Sequence, residues 1–226
     1  HPEHVFPTIQ KTGPVLQLTN AAHPLLPPDT AVANNLHIEE EAFFIVTGAN
    51  MAGKSTFLRT VGLNLVLAQT GSVVCANAFT CAPVQVFSSM RTQDSLVENT
   101  SSFYAELKRL RQLLQLAGRH SASDNTPSLP IFYLLDEILK GTNSADRHRG
   151  AEALIKQLHP MQASGMVSTH DLELGQWGAT ESFVQNFHFR SDVQDGKLYF
   201  DYKLHEGICK SFNASELMRM MGIEVG

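Results

Sequence analysis

The sequence predicts an α/β fold built on a mostly parallel sheet covered by helices, and three observations carry that expectation. Apolar runs at Ala42-Phe43-Phe44-Ile45-Val46-Thr47, Ile131-Phe132-Tyr133-Leu134-Leu135 and Met166-Val167-Ser168-Thr169 lack polar alternation, the mark of strands buried on both faces. Between them, apolar residues recur at helical spacing. Strands alternating with helices imply a parallel sheet with both faces covered.

Before the first of those runs, Val15-Leu16-Gln17-Leu18 and the stretch from Val32 to Ile38 read as short strands around a Pro-rich turn, His23-Pro24-Leu25-Leu26-Pro27-Pro28-Asp29. After it, Ser55 to Gln69 carries Phe57, Val61, Leu65 and Ala68 on one helical face. Val73-Val74-Cys75-Ala76 and Val84-Gln85-Val86-Phe87 are expected strands, and the polar stretch from Ser88 to Asn99 is expected to be mobile. Phe103, Leu107, Leu110, Leu114 and Ala117 mark a long amphipathic helix capped by Thr100 or Ser101. Ala151, Leu154, Ile155 and Leu158 mark another. Toward the end, Asp195-Gly196 between alternating segments predicts a hairpin, with Leu198, Phe200, Tyr202 and Leu204 on one face. Asn213 and Glu216 form a capping box for a last short helix.

Composition narrows the function classes. The 226 residues are 43% hydrophobic and 17% charged, ordinary for a soluble globular chain. A net charge of -5 disfavours strong nucleic-acid binding by bulk electrostatics. Lys108, Arg109, Arg111 and Arg119 form the one basic cluster, read as the solvated face of a helix. Cys75, Cys81 and Cys209 include no C-x-x-C pair, which points to neither a disulfide framework nor a cysteine zinc site. With no apolar run long enough to span a bilayer and no signal peptide, a cytoplasmic protein without membrane contact is expected. The chain opens at His1-Pro2-Glu3 without Met, so a segment of a longer polypeptide is expected.

Two motifs carry chemistry. Gly48-Ala49-Asn50-Met51-Ala52-Gly53-Lys54-Ser55 fits G-x-x-x-x-G-K-[ST], between an apolar strand and a helix. Glycines let the backbone wrap closely, so amide N–H groups and the positive end of the helix face phosphate oxygens. Lys54 would reach the β- and γ-phosphates and Ser55 would ligate Mg²⁺. Asp136-Glu137 follows the second apolar strand, at the carboxyl edge where open α/β sheets bind ligands. There Asp136 would hold the metal, and Glu137 would orient and deprotonate the attacking water.

These residues make the sequence resemble the ATPase domain of MutS-type DNA mismatch repair proteins, a branch of the ABC-type P-loop ATPases. The resemblance rests on Thr47-Gly48-Ala49-Asn50-Met51-Ala52-Gly53-Lys54-Ser55-Thr56, on Asp136-Glu137-Ile138-Leu139-Lys140-Gly141-Thr142-Asn143-Ser144-Ala145-Asp146, and on Ser168-Thr169-His170-Asp171-Leu172-Glu173-Leu174. It runs from His23-Pro24 to Ile223. It implies that His170 senses the γ-phosphate and that Ser101 and Ser102, in Thr100-Ser101-Ser102-Phe103, reach the nucleotide of an opposing subunit. It further implies that the Val32 backbone contacts adenine, that Tyr202 stacks on the base in place of a family histidine, and that Asp146 bridges subunits. Leu139 and Lys140 stand where the family usually has Gly-Arg, Asn143 and Ala145 differ within the signature, and Arg147 and Asn213 replace glycines, so a divergent MutS-like lineage is expected.

The expected organisation is a single ATPase domain over 1–226: an N-terminal antiparallel strand element over 1–41 with the adenine-side contacts, a P-loop core over 42–180, and a C-terminal hairpin and short helix over 181–226. The resemblance implies MgATP binding and hydrolysis, with ADP as product, that gates closure of a homodimer and is coupled to DNA by domains outside this segment. The alternative is a nucleotide-gated dimerisation module of another ABC-type DNA-maintenance protein with negligible turnover of its own.

Overall fold

The computed structural model describes residues 4–11, 15–39, 42–90, 102–121, 129–161, 163–194 and 197–209. Residues 91–99, Thr100, Ser101, the Asp195-Gly196 turn and the capping box at Asn213 and Glu216 lie outside them.

Two sheets, four α-helices and a short 3-10 turn at His159–Met161 make up the described chain. The larger sheet has six strands in the order β10-β9-β4-β8-β7-β6. Five of them, β4 (Phe43–Gly48), β6 (Gln85–Ser89), β7 (Ile131–Asp136), β8 (Ser164–Thr169) and β9 (Val184–Gln194), run parallel, and β10 (Lys197–Glu206) closes the edge antiparallel to β9. The smaller sheet has the order β1-β5-β2-β3, from β1 (Thr8–Ile9), β2 (Leu16–Ala21), β3 (Asn34–Ile38) and β5 (Ala78–Cys81). Of the helices, α1 spans Lys54–Gln69, α2 Ser102–Ser121, α3 Ser144–Leu158 and α4 Leu172–Gly178. The sheet is mixed and mostly parallel.

Strand period sorts the apolar residues of the large sheet into two cores. Phe44 and Val46 of β4, Phe132 and Leu134 of β7 and Met166 of β8 face α1 and the small sheet. Their neighbours Phe43, Ile45, Tyr133, Leu135 and Val167 face the other way, with Leu110, Leu113 and Ala117 of α2 and Ala151, Leu154, Ile155 and Leu158 of α3. Fully burying one such side chain contributes about 1.5–3 kcal/mol. The expected α1 face is the buried one: Phe57, Val61, Leu65 and Ala68 are all inside. Arg109 lies over the Phe87 ring and donates to the Ser88 carbonyl, so part of the basic cluster clamps α2 to β6.

Val73-Val74-Cys75-Ala76 forms no strand, contrary to expectation. Val74 makes an isolated bridge with Val5, while the Cys75 N–H donates to Asn64 Oδ1 and its carbonyl accepts from Ala22. With its backbone groups going to three separate partners, no ladder can form. The strand follows instead at β5, and β3 starts at Asn34 rather than Val32. Among the described helices, none is long and apolar enough to cross a membrane.

Gly165 sets the closest approach inside the sheet. A Cβ there would stand 2.1 Å from the Tyr133 carbonyl oxygen, so Gly165→Ala should destabilise the protein by about 3 kcal/mol. Urea denaturation checks this, and a change near zero would show that β7 and β8 can separate freely.

Candidate functional site

The loop between β4 and α1 turns on three left-handed residues, with φ of 150° at Gly48, 69° at Met51 and 109° at Gly53. A Cβ on Gly53 would lie 3.2 Å from Tyr202 Cδ1, so the loop and β10 pack tightly there. Gly53 caps α1 with no side-chain hydrogen bond, and the first turn carries no acidic residue. The helix therefore presents its positive end to the loop's interior. Lys54, its first residue, is only 4% exposed. Its Nζ donates to the carbonyls of Gly48 at 2.7 Å and Ala49 at 3.0 Å and sits 3.5 Å from Glu137 Oε1. Burial pushes the ammonium pKa below its ordinary value, against the pull of Glu137.

Opposite stands the turn after β7. β8 lies between β4 and β7, pairing with β4 at Thr47 and Thr169, and its tip supplies groups to the turn after β7. Ser168 donates its hydroxyl to Asp136 Oδ1 and its carbonyl accepts from the Glu137 N–H at 2.9 Å. Asp136 Oδ2 is buried with no hydrogen-bond partner among the described residues. Glu137, at φ 51°, takes Lys140 Nζ at 2.5 Å and His170 Nδ1 at 3.1 Å on Oε2. Burial alone would raise its pKa, but Lys140, Lys54 and His170 together hold the carboxyl below its usual range. Leu139, at φ 60°, donates its N–H to Glu106 Oε1 of α2 at 2.6 Å, which anchors the turn.

Two recesses meet at Gly53, Thr56 and Tyr202. The smaller, about 130 Å³, is lined by Ala49, Asn50 and Met51 of the loop, by Lys54, Ser55 and Thr56 of α1, and by Glu137. The larger, about 340 Å³, has walls that include Leu26, Val32, Phe57 and Phe189. The structure thus brings together the loop residues, Glu137, His170, Val32 and Tyr202. Ala52 is buried beneath the loop, and Ser102, the first residue of α2, lines neither recess. Asp146 accepts from the Asn143 side chain at the start of α3, apart from both.

Sequence reasoning missed Lys140 as a partner of Glu137, and His23 and Asn34 as walls of the larger recess. The i,i+3 spacing of Glu137 and Lys140 was a usable signal. His23 and Asn34 gave none, because turns and a change of sheet bring them in.

The family described as MutS domain V matches residues 44–224. The chain belongs to the MutS family. It is 32% identical over 212 residues to MutS protein homolog 4 of Homo sapiens, covering 88% of this chain and 21% of that protein. It is 33% identical over 213 residues to the DNA mismatch repair protein MutS of Macrococcus caseolyticus, covering 91% and 24%. With the endonuclease MutS2 of Thermus thermophilus it shares 32% over 184 residues, covering 80% and 23%. This MutS-family chain thus spans between 21% and 24% of the length of these curated relatives.

His23 accepts from the Leu25 N–H at 3.2 Å through Nδ1, and burial, with the Arg59 charge, lowers its pKa. A histidine that resists protonation when folded contributes stability above its unfolded pKa of about 6.5 and loses it as pH falls below that value. Wild type should therefore lose more stability than His23→Gln between about pH 7.5 and about pH 5.5. Urea midpoints at the two pH values check this; equal losses would refute it.

Proposed function

We propose that this chain binds MgATP and hydrolyses it to ADP and phosphate, and that the nucleotide closes a head-to-tail homodimer. The cycle would serve DNA mismatch repair in the cytoplasm through DNA-binding domains elsewhere in the parent protein. The observation that supports this best is the joined pair of recesses. A polar one holding a buried ammonium and a carboxylate opens into one with apolar walls, matching the division of a nucleotide into polyphosphate and base.

In this reading the loop from Gly48 to Thr56 is a P-loop cradling the phosphates, and Lys54 leaves the Gly48 and Ala49 carbonyls for the β- and γ-phosphate oxygens. The buried Asp136 Oδ2, without a partner among the described residues, and the Ser55 hydroxyl are oxygen donors of the kind Mg²⁺ takes. When bound there, the ion neutralises phosphate charge. Lys54's departure frees Glu137 Oε1 to orient and deprotonate water, while Lys140 and His170 keep the other oxygen fixed. His170 links that carboxylate to the γ-phosphate. Val32 offers its backbone to adenine and Tyr202 its ring to the base. Ser101 and Ser102 complete the partner's site, consistent with Ser102's absence from both recesses of its own chain. Within this domain, 42–180 is the P-loop core, 1–41 the strand element on the adenine side and 181–226 the hairpin and short helix.

Glu137→Gln should lower turnover by about 10²–10⁴-fold while MgATP affinity and ATP-dependent association persist. Phosphate release, calorimetry and light scattering read the three quantities. Wild type that binds MgATP and associates without turnover would be a gated binding module; wild type giving no heat with MgATP would end the nucleotide reading altogether. Ser101→Ala should slow turnover about tenfold or more, with nearly unchanged binding to one chain. Equal loss of both would refute completion by the partner.

A further inference from the structure

The strand that carries Tyr202 does not follow its neighbour throughout. The β9–β10 ladder pairs Phe200 with Ser191 and next pairs Leu204 with Phe189, so the residues between form a bulge. Tyr202 sits in it at φ 54°, a conformation unfavourable for an aromatic residue that persists only where the surroundings hold it. Asn34, at the start of β3 in the other sheet and only 8% exposed, does the holding.

Its Nδ2 donates to the Tyr202 carbonyl at 3.1 Å and to the Val32 carbonyl at 3.4 Å. Its Oδ1 accepts from the Leu204 N–H at 2.7 Å. One carboxamide thus supplies a donor to one residue and an acceptor to another two positions on, as a neighbouring strand would across a ladder. Lys203 adds a second tie from the same bulge, Nζ to the Ala33 carbonyl at 2.7 Å. The aromatic ring that results lines both recesses and packs against Gly53, where the two recesses meet.

We infer that Asn34 is a positioning residue for base recognition: by clasping the β10 bulge it fixes the Tyr202 ring over the larger recess and joins the two sheets into one nucleoside-binding wall. The inference rests on the nucleotide reading above. The chemistry of the clasp is narrow. Aspartate keeps the acceptor for Leu204 but sets a negative oxygen against the Tyr202 and Val32 carbonyls, and alanine offers neither bond. The phosphate recess is lined by the loop, the first turn of α1 and Glu137, and of the β10 bulge it includes Tyr202 but neither Lys203 nor Asn34 that clasps it. Base affinity should therefore depend on Asn34, and polyphosphate affinity should not.

The experiment measures Kd for MgATP and for magnesium tripolyphosphate by calorimetry in wild type, Asn34→Ala, Asn34→Asp, Tyr202→Ala and the Asn34→Ala/Tyr202→Ala double variant. Both Asn34 variants should weaken MgATP about tenfold, with tripolyphosphate changed by less than about twofold. In the Tyr202→Ala background, removing Asn34 should cost little further MgATP affinity, the coupling expected of a residue that acts through another. Equal weakening of both ligands, full additivity in the double variant, or unchanged MgATP affinity would each overturn the inference. An NMR contact between the Tyr202 ring and the Gly53 Hα, present in wild type and absent in Asn34→Asp, reads the clasp directly, and its persistence in the variant would also refute it. Wild type that binds tripolyphosphate but not MgATP would refute the base wall while leaving a phosphate site. Wild type that binds neither would remove the nucleotide reading and this inference with it.

Discussion

A buried ammonium sets the terms for the site. Lys54 is almost wholly removed from water at the start of α1, and an isolated charge could not remain there. Two loop carbonyls and one carboxylate make it tolerable, and each comes from a different constraint. The carbonyls point inward because the loop from Gly48 to Gly53 turns through left-handed conformations. The carboxylate is in reach because β7 ends level with β4 in the same parallel sheet. Glu137 in turn sits among two ammonium groups, Lys54 and Lys140, and the His170 ring. Removing any one member changes the charge balance of all the others.

That arrangement needs a rigid frame, and the packing supplies it. Alternate residues of β4 and β7 enter opposite cores, so neither strand can slip by one position without turning its apolar set over. The close approach of Gly165 to Tyr133 locks β8 against β7, which keeps Ser168 beneath Asp136 and His170 beside Glu137. On the far side, Glu106 of α2 holds the Leu139 amide. The turn that carries Glu137 is therefore fixed from two directions. Left-handed geometry at Glu137 and Leu139 is unfavourable for residues with side chains, and such backbone persists where its surroundings over-determine it.

Much of this was legible in the chain. The three uninterrupted apolar runs became β4, β7 and β8, and the face of α1 is the one its spacing marked. Those signals come from local periodicity, which burial on both faces makes strong. The errors have an equally local cause. Val73-Val74-Cys75-Ala76 looks like a strand by composition, but the Asn64 side chain, Val5 and Ala22 take its backbone groups one at a time. β5 escaped notice because Ala78–Cys81 is only four residues long, and α4 because its seven residues give too few turns to show a period. Tyr202 could be read as a core-facing strand residue by alternation; the bulge between Phe200 and Leu204 breaks that alternation and turns it to the recesses.

By itself the sequence determined the loop's identity, the carboxylates at a strand end, and membership of a family whose domain covers residues 44–224. Each of these is a property of residues adjacent in the chain, where spacing alone carries the information. The tertiary structure decided who meets whom. It placed β8 between β4 and β7, so that Ser168 and His170 reach the carboxylates. It folded Lys140 back onto Glu137, and it carried Asn34 across 168 residues of chain to the carbonyl of Tyr202. Strand order and bulges depend on how whole surfaces pack together, and no local pattern encodes them because many distant residues contribute a little to each.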